Sequence, residues 1–363
     1  MEFGIFSNGF RPHTTAAQTY EEDLQELILA DQLGFSSAWI SEHHGEPVYI
    51  NKVDTCPVPE LLMAKAAGLT KQIRMGAAIN VIHLHHPVDT AIKAATCDHI
   101  LNGRYMFGFG SGFPNPMFSN ERGFNFEDRH ERLMEALDVI LRCWSSETPF
   151  DFEGKYFKGK GILALPKPFK APHMPIGTAS DTDATLQITG ERGYMLLAAQ
   201  LDAASGIRRK ADKYLKAAAN GGRLKAGSPH PLNNIFAGRY IWVTDSVEQA
   251  KNDLREAVNH EIQFQKARGL ANIVKRLMSL PDGQEITFDL FYDAGMFYIG
   301  DPDTVAEKLK KFYDEAGGFG TLMYVAGKHW ATRDKRHQSM RRFMEQVAPQ
   351  LRDLQPTRQL AAA

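Results

Sequence analysis

Short apolar runs alternate along the chain with segments in which apolar residues recur every three or four positions. The first pair is the run at residues 2–6 and the segment at 20–33, where Leu24, Leu27 and Ile28 share one helical face. Such runs predict strands, and the longer periodicity predicts amphipathic helices. Eight strands are predicted, at residues 2–6, 38–41, 73–80, 105–110, 176–179, 194–198, 236–243 and 320–325.

Helices are predicted between these strands, which is the alternation of a parallel α/β protein. The further helix-patterned segments occupy residues 59–69, 87–101, 127–144, 182–192, 207–220, 247–261, 302–316 and 334–351. Strands and helices in this number predict a closed (β/α)8 TIM barrel. The length of 363 residues is typical of such a barrel with insertions.

The alternation breaks at two places. Near residues 145–175, the segment 150–160 has the pattern of a small hairpin and is followed by several prolines, and a second break lies near 269–295. We interpret both as barrel insertions that shape a substrate pocket, since no linker rich in Pro, Gly or Ser separates two domains. The chain is therefore predicted to be one domain over residues 1–353, with a flexible tail at 354–363.

The charge balance argues against binding to nucleic acid or to an anionic membrane. Lys and Arg total 42 and Asp and Glu total 43, a formal net charge of −1. No apolar run approaches the ~18–20 residues of a membrane span, and no signal peptide is visible. Cys56, Cys97 and Cys143 are far apart and form no CxxC pair. This usage argues against a disulfide framework or a zinc site and for a reducing cytoplasm.

A titratable cluster follows the second predicted strand, in SAWISEHHGE at residues 37–46. Glu42, His43 and His44 come directly after the apolar run, and the carboxyl ends of the strands carry the chemistry of a parallel barrel. Imidazole changes its protonation near neutral pH, so these residues are candidates for acid–base catalysis. The alternative is a polar loop start whose histidines face water.

Two further motifs follow the third and fourth strands. His83, His85 and His86 lie beyond the third strand, and no matching His or Asp set follows the later strands, so we predict no metal site. The glycines of FGFGSGFP, which include Gly108 and Gly110, end the fourth strand. They serve either tight strand–loop packing or the close approach of a flat ring or a phosphate.

Several blocks of the chain together resemble one family. FGIF at the start, ADQLGFSSAWISEHHGE, IRMGAAINVIHLHHPVDTAIKAATCDHILNGRYMFGFGSG and FYIGDPDTVAEKL are similar, in this order, to the bacterial luciferase-like flavin monooxygenases. The resemblance extends from residue 1 to about residue 351. It implies a (β/α)8 barrel and a two-component oxygenase, which uses O2 and reduced FMN supplied by a separate flavin reductase.

The implied reaction is oxygenation of a small apolar or aromatic substrate through a C4a-(hydro)peroxyflavin. Two alternatives stay open: hydride transfer with a deazaflavin in the same barrel, and a non-catalytic flavin-binding relative. The resemblance also implies a homodimer or a higher homo-oligomer, packed through the predicted helices at 59–69 and 87–101. The alternative is that the apolar faces of these helices only cover the barrel.

The resemblance also implies roles for single residues. His43 matches the histidine that assists formation and breakdown of the flavin peroxide, and its neighbours Glu42 and His44 fix its tautomer. Ala78 and Asn80 lie in the block where the family often has a non-prolyl cis peptide under the flavin ring, and Asn80 is expected to reach a polar edge of that ring. The alternative for this block is an ordinary buried strand end.

The FMN phosphate is expected in GTASDTDATLQITGERG, after the fifth predicted strand. Ser180, Asp181, Thr182 and Thr185 open a helix there, and such residues offer backbone N–H groups and hydroxyls to an anion. The alternative is that Ser180 or Asp181 is only an N-cap.

The loop after the fourth strand departs from the family pattern. Gly110 and Ser111 are expected at the cofactor, but Ser111 stands where luciferase has an arginine that helps to hold the phosphate. The compensating charge must then come from elsewhere in the chain. Arg104 and Arg239 are candidates, and the sequence assigns neither.

Overall fold

The computed structural model describes residues 1–7, 14–43, 56–112, 127–179, 182–225, 227–267 and 284–358. The strands, numbered in chain order, are β1 (Glu2–Ser7), β2 (Ser37–Ile40), β3 (Arg74–Ala77), β4 (Tyr105–Phe109), β5 (Phe150–Glu153), β6 (Lys158–Ile162), β7 (Ile176–Thr178), β8 (Met195–Ala198), β9 (Ile235–Val243), β10 (Phe297–Gly300) and β11 (Thr321–Val325).

The helices that the structure describes are α1 (Ala16–Leu33), α2 (Pro59–Ala67), α3 (Pro87–Ile100), α4 (Arg129–Ser145), α5 (Asp183–Arg192), α6 (Ala204–Asn220), α7 (Val247–Ala267), α8 (Phe288–Asp293), α9 (Pro302–Ala316) and α10 (Arg333–Arg342). A π-helical turn, Phe343–Val347, and a last turn, Ala348–Leu351, continue α10. None of these described helices is both long enough and apolar enough to cross a membrane.

Eight of the strands form a closed parallel barrel. Neighbours follow the order β11–β1–β2–β3–β4–β7–β8–β9, and β9 pairs with β11 to close the ring. The fold predicted from the alternation is thus confirmed. Because all the barrel strands run in the same direction, their carboxyl ends meet at one face, which we call the mouth.

The barrel interior is built around one large side chain, Trp39 on β2, which is completely buried. Gly76, Gly108 and Gly177, on β3, β4 and β7, face its indole ring, and a Cβ atom at any of them would press on that ring. Protein interiors leave no spare volume for additional carbon atoms. The three glycines are therefore what allows the indole to occupy the barrel.

Gly108→Ala is expected to destabilise the protein by at least about 1–3 kcal/mol. The added Cβ would overlap the backbone carbonyl oxygen of Ala77, which cannot move aside as a flexible side chain can. Gly68→Ala is the matched control, because Gly68 has a right-handed conformation and nothing lies within 4 Å of an added Cβ. Urea unfolding of both variants tests this, and equal stabilities would contradict the packing account.

A ninth parallel strand, which the sequence pattern did not predict, lies outside the barrel. β9 continues beyond the ring, and β10 pairs with this extension over Tyr240–Val243 of β9. α7 and α8 cover the extension and share an apolar cluster with it. Residues 284–295 of the second insertion thus help to build a rim on the β9 side of the mouth, and residues 269–283 lie outside the described residues.

The first insertion packs along the outer helices. β5 and β6 form the predicted hairpin. The Glu135 carboxylate on α4 accepts the backbone N–H groups of Tyr156 and Phe157, at 2.9 and 2.7 Å. Lys167 Nζ donates to the carbonyl oxygen of Cys143 at the end of α4, at 2.8 Å. These contacts cover α4, and Phe157 also packs on the guanidinium of Arg132, 4.9 Å from its ring centre, near the start of this helix.

The carboxyl-terminal segment packs against the barrel as far as residue 358, where a flexible tail was expected. Pro356 is buried against Gly318. The amino group of Met1 donates to the carbonyl oxygen of Leu354 at 2.8 Å, and a His230 ring nitrogen lies 2.8 Å from the carbonyl oxygen of Arg358. Met1 and the segment 354–358 therefore lie together at the amino-terminal end of the barrel, and residues 359–363 lie outside the described residues.

Candidate active site

Partly exposed side chains gather where the first barrel strands end. Phe6, His43, Ala78, Ile79 and Ser111 lie at or just beyond the ends of β1 to β4, and all are half-buried. The other residues of these strands are mostly buried. Side chains that a ligand could reach therefore lie at the mouth, which is where a parallel barrel carries its site.

In the segment after β2, Glu42 and His43 have different surroundings. β2 ends at Ile40, and alternation continued from the buried Trp39 predicts that Ser41 and His43 face inward and Glu42 outward. The Glu42 carboxylate is buried, and its Oε1 lies 3.8 Å from Nε2 of His85. The Ser41 hydroxyl is buried and makes no hydrogen bond to the described residues. Of the predicted acid–base residues that the structure describes, His43 is half-buried at the end of β2 and Glu42 is buried.

The segment after β3 contains the cis peptide bond that the resemblance predicts. This bond joins Ala78 to Ile79. The Asn80 side chain, by contrast, is buried behind the strand. Its Nδ2 donates to the carbonyl oxygen of Gly108 at 3.1 Å, and its Oδ1 accepts a hydrogen bond from Lys93 Nζ at 3.2 Å. The expected reach of this amide to the edge of a cofactor does not agree with this geometry.

A buried polar network behind β3 anchors Asn80. Glu60 on α2 pairs with Lys93 on α3, with 3.1 Å between Oε1 and Nζ, and the hydroxyl of Tyr105 donates to the same carboxylate oxygen at 3.2 Å. Buried polar groups are held in place by their partners, so the network ties two outer helices to the strand end that carries Ala78. Sequence reasoning missed Glu60 and Lys93, because a charged residue on an amphipathic helix normally indicates a solvated face.

The glycines after β4 pack against the segment that follows β3. A Cβ atom at Gly110 would overlap the Ile79 side chain, and one at Gly112 would lie 3.2 Å from Val81. Gly112 also has a φ of +59°, which side chains disfavour. These contacts support the packing alternative for the glycines, so Gly110 offers a ligand only its backbone. Ser111, between them, is half-buried at the mouth.

The amino terminus of α5 carries two of the hydroxyls predicted to hold an anion. Thr182 is the N-cap: its Oγ1 accepts the backbone N–H of Thr185 at 3.4 Å and donates to the Thr185 hydroxyl at 2.9 Å. Capping is compatible with anion binding, because the first helical turn still presents N–H groups and the positive end of its dipole. The remaining predicted site residues, His44, Ser180 and Asp181, lie outside the described residues.

Neither Arg104 nor Arg239 is placed to neutralise a bound phosphate. Arg104 precedes β4, at the end of the barrel opposite to the mouth, and donates to the carbonyl oxygen of Ile73 at 3.0 Å. Arg239 is buried on the outer side of β9, with its guanidinium 3.7 Å from the centre of the Phe312 ring. It donates to the carbonyl oxygen of Asp202 at 2.8 Å, and burial lowers its pKa to about 10. Both arginines hold backbone segments together.

A different group of cations lies beyond the end of β3. Arg132 on α4 donates to the carbonyl oxygen of His83 at 2.8 Å. Burial, and then the positive charges of Arg132 and Arg129, lowers the pKa of His83 to about 4. His83 comes two residues after Val81, which packs on Gly112. The start of α4 therefore brings positive charge to the β3–β4 side of the mouth. The sequence did not predict this, because α4 begins about twenty residues after β4 ends.

The β9 side of the mouth combines aromatic side chains with one buried carboxyl group. Tyr240 shares the inward face of β9 with Phe236, and Gln200 Nε2, just after β8, donates to its hydroxyl at 3.3 Å. The carboxyl group of Glu261 on α7 faces Tyr240 and the indole of Trp330. Burial raises the pKa of Glu261 to about 7, although the two neighbours lower it. Nothing in the local sequence distinguished Glu261 from the solvated carboxylates of the same helix.

Glu261 makes the stability of the protein pH-dependent. Its pKa rises from 4.5 to about 7 on folding, so the folded chain binds more protons at this site than the unfolded chain between these pH values. The contribution of Glu261 to the free energy of unfolding is therefore expected to fall by about 3 kcal/mol as the pH rises through this window. Glu261→Gln should remove this slope, and Glu256→Gln, at an exposed position of the same helix, should keep it. Urea unfolding at several pH values measures both, and an unchanged slope in Glu261→Gln would contradict the burial of a titrating carboxyl group.

A cavity of about 670 Å³ opens at the rim of the mouth, between α1, α7 and the loop after β11. Its charged side chains are largely paired. Arg336 contacts Glu22 at 2.8 Å, and the buried Lys328 contacts Asp23 at 3.4 Å and also Glu26. His43 is not among the residues that line it. The cavity is therefore a polar feature of the rim, distinct from the predicted site at the ends of β2, β3 and β4.

Comparison of the sequence with known proteins gives a consistent result. The sequence model of the luciferase-like monooxygenases matches residues 1–318. The chain is 28% identical, over an alignment of 389 positions, to 3,6-diketocamphane 1,6-monooxygenase of Pseudomonas putida, covering 97% of this chain and 98% of that protein. It is 26% identical over 361 positions to limonene 1,2-monooxygenase of Rhodococcus erythropolis, covering 96% of this chain and 86% of that protein.

Solved structures share the fold. The oxygenating constituent of 3,6-diketocamphane monooxygenase from Pseudomonas putida, in complex with FMN, superposes with a TM-score of 0.82 at 24% identity, covering 99% of both chains. An F420-dependent secondary alcohol dehydrogenase superposes with a TM-score of 0.69 at 18% identity, covering 97% of this chain and 99% of the other. With the sequence match over residues 1–318, these findings show that the chain belongs to the luciferase-like monooxygenase family.

Proposed function

We propose that this protein is the oxygenase component of a two-component, FMN-dependent monooxygenase. It uses O2 and reduced FMN, supplied by a separate flavin reductase, to oxygenate a small apolar or aromatic compound. The observation that carries the proposal is the pairing of β2 with β3, which brings His43 and the half-buried Ala78 to the same part of the mouth. The names of two relatives, limonene 1,2-monooxygenase and 3,6-diketocamphane 1,6-monooxygenase, support it.

The residues at the mouth ends of β2, β3 and β4 fit a flat ring with polar edges. Ser41, Ala78 and Gly110 have small side chains or none, so the backbone at these strand ends is open to close approach by such a ring. The buried Ser41 hydroxyl lacks a hydrogen-bond partner among the described residues and is available to such a ring. When bound, reduced FMN supplies the electrons that activate O2. The residues of the chain bind and orient it and keep water away.

His43 holds or delivers a proton beside the reacting atoms in this proposal. An imidazole can do either near neutral pH, and its inward direction at the mouth gives it access to a bound ring. Glu42 is turned outward beside His85 and positions the segment after β2, and His44 completes the predicted acid–base group. Asn80, held by its buried partners, positions the backbone of Ala78.

The phosphate of FMN lies at the amino terminus of α5 in this proposal. On binding, the Thr182 hydroxyl turns its proton from the Thr185 hydroxyl to the phosphate, Thr185 donates its own, and Ser180 and Asp181 supply backbone N–H groups before the helix. Because β7 pairs with β4, this helix start adjoins the segment of Gly110 and Ser111. The positive charge missing at Ser111 comes from the start of α4, where Arg129 and Arg132 lie.

Separate titrations of the protein with FMN and with a deazaflavin test the cofactor, and oxygen uptake with a flavin reductase and a panel of cyclic compounds tests the reaction. We expect FMN to bind and oxygen uptake to yield oxygenated product. Binding of the deazaflavin alone would favour hydride transfer. Flavin binding without turnover of any compound would favour a non-catalytic relative.

We further propose that the protein is a homodimer that packs through α2 and α3. Leu61, Leu69 and Ile100 lie in or next to these helices and are 71%, 54% and 47% exposed, so they do not cover the barrel. Light scattering at micromolar concentration should give twice the 40.6 kDa of one chain. A mass of one chain would show that these helices serve only the barrel.

We propose a cytoplasmic location for the protein because its cysteines form no disulfide. Cys56, Cys97 and Cys143 are all free and buried. Burial raises the pKa of Cys56 and that of Cys97 to about 12, so neither thiol ionises readily. Reduced, unreactive thiols are typical of proteins from a reducing compartment.

A further inference from the structure

Gly238 on β9 faces the barrel interior at a point that no side chain fills closely. Phe236, two residues earlier, meets Trp39 edge to face with 5.9 Å between ring centres, so alternation along β9 directs Gly238 and Tyr240 inward as well. The three atoms nearest to an added Cβ at Gly238 all belong to the backbone at the end of β8 and just after it. The closest, the Gln200 nitrogen, lies at 3.3 Å. This point of the inward face is therefore bounded by backbone.

The glycines on β3, β4 and β7 are required by packing, whereas Gly238 is not. Gly76, Gly108 and Gly177 make room for the indole of Trp39. Gly238 does not have a positive φ angle, so its backbone conformation suits any residue. An alanine Cβ there would need its neighbours to move by only a few tenths of an ångström. Neither backbone conformation nor a packed side chain explains this glycine, but a ligand that needs the space does.

The turn after β8 holds Gln200 beside this space. The Asp202 carboxylate accepts the backbone N–H of Ala199 at 3.2 Å and pairs with Lys210 Nζ at 2.8 Å. From the outer side of β9, Arg239 donates to the carbonyl oxygens of Ala199 and Asp202, at 3.2 and 2.8 Å. The Ala199 side chain is exposed and that of Gln200 is half-buried, so this fixed turn borders the open part of the mouth.

The side chain of Gln200 supplies a polar group at this space. Its Nε2 donates one hydrogen to the Tyr240 hydroxyl at 3.3 Å. A primary amide has two N–H donors and one carbonyl acceptor, and the second N–H and Oε1 make no hydrogen bond to the described residues. The charged neighbours Asp202 and Arg239 are buried and bound to other partners. The turn therefore offers a ligand an uncharged amide and no charge of its own.

We propose that Gly238 and Gln200 form the substrate subsite of the mouth. Gly238 sets the size of the ring that fits, and Gln200 binds an uncharged oxygen atom of the same compound. The ligand class is thus a compact apolar compound with one such oxygen, of which a cyclic ketone is the simplest. The inference deepens the proposed function and rests on it for the reaction that follows binding.

Saturation-transfer nuclear magnetic resonance of the flavin-free protein, with cyclopentanone and cyclooctanone as ligands, tests the proposal. Gly238→Val places a branched side chain in the space, so cyclooctanone should bind at least about 10-fold more weakly and cyclopentanone should change less. Gln200→Leu keeps a similar volume and loses the hydrogen bond, so both ketones should bind about 2–10-fold more weakly. Gln350→Leu, at an exposed position of the last helical turn, should bind both as the wild type does.

A wild type that binds neither ketone would overturn the proposal. So would a Gly238→Val protein that keeps the wild-type ratio of the two affinities, or a Gln200→Leu protein that binds both ketones as the wild type does. Gly238→Ala should move the ratio in the same direction, and it serves if Gly238→Val does not fold. Because binding is measured without flavin, a protein that shows these changes and yet forms no oxygenated product would refute the proposed function and leave this inference supported.

Discussion

His43→Ala should slow product formation by about 10²–10⁴-fold while FMN affinity changes little, because general acid–base groups contribute factors of this size. His43 is half-buried just beyond β2, whereas the phosphate is assigned to α5 on the other side of β4. Oxygen uptake should continue in the variant, with hydrogen peroxide replacing the oxygenated product. The ratio of product to oxygen consumed measures this uncoupling.

The matched control for this variant is His99→Ala. His99 is an exposed histidine near the end of α3, and one of its ring nitrogens lies 2.9 Å from the carbonyl oxygen of Lys167, away from the mouth. The variant His99→Ala should give the same ratio of product to oxygen consumed as the wild type. Equal coupling in His43→Ala and the wild type would mean that His43 has only a structural role.

Removing the hydroxyls of Thr182 and Thr185 should weaken FMN binding far more than riboflavin binding, because riboflavin lacks the phosphate. Each charge-assisted hydrogen bond lost is worth about 1.5–3 kcal/mol, so the double variant Thr182→Ala with Thr185→Ala should lose at least about 100-fold in FMN affinity. Fluorescence titrations with both flavins give the ratio. Equal weakening of the two ligands would show that the phosphate lies elsewhere.

The N-cap function of Thr182 requires its own control, since losing a cap costs about 1 kcal/mol of stability. Thr287 caps α8 in the same way, with its Oγ1 accepting the backbone N–H of Leu290 at 3.2 Å. Thr287→Ala should show the same loss of stability and bind FMN as the wild type does. A similar loss of FMN affinity in this variant would point to general destabilisation of the helices.

The barrel could be predicted from the sequence because its pattern is local. Each barrel strand is a short apolar run next to an amphipathic helix, and cap residues fix several boundaries: Gly34 ends α1 with a φ of +83°, and Asp301 caps α9 by accepting the backbone N–H of Thr304 at 3.0 Å. The strand β10 was missed for the opposite reason. Its four residues pair with an extension of β9 that is more than fifty residues away, and no local signal encodes that pairing.

The candidate site likewise has some features that the sequence predicts and others that it does not. The sequence puts both His43 and Ala78 at strand ends, because His43 follows one apolar run and Ala78 lies near the end of the next. The direction of a side chain depends on partners from other elements. Asn80 is turned from the mouth by Lys93 of α3, and Glu261 is buried because aromatic residues of β9 and of the loop after β11 surround it. Such contacts between distant segments set burial and pKa, and neither periodicity nor motif spacing reports them.

Rapid mixing of the anaerobic complex of protein and reduced FMN with O2 tests the central claim most directly. The absorbance spectrum should pass through a transient that differs from both reduced and oxidised FMN and that outlives the oxidation of free reduced FMN. Such a transient would show that this barrel controls the reaction of the flavin with oxygen. Direct conversion to oxidised FMN, at the rate of free reduced FMN and with stoichiometric hydrogen peroxide, would contradict the account.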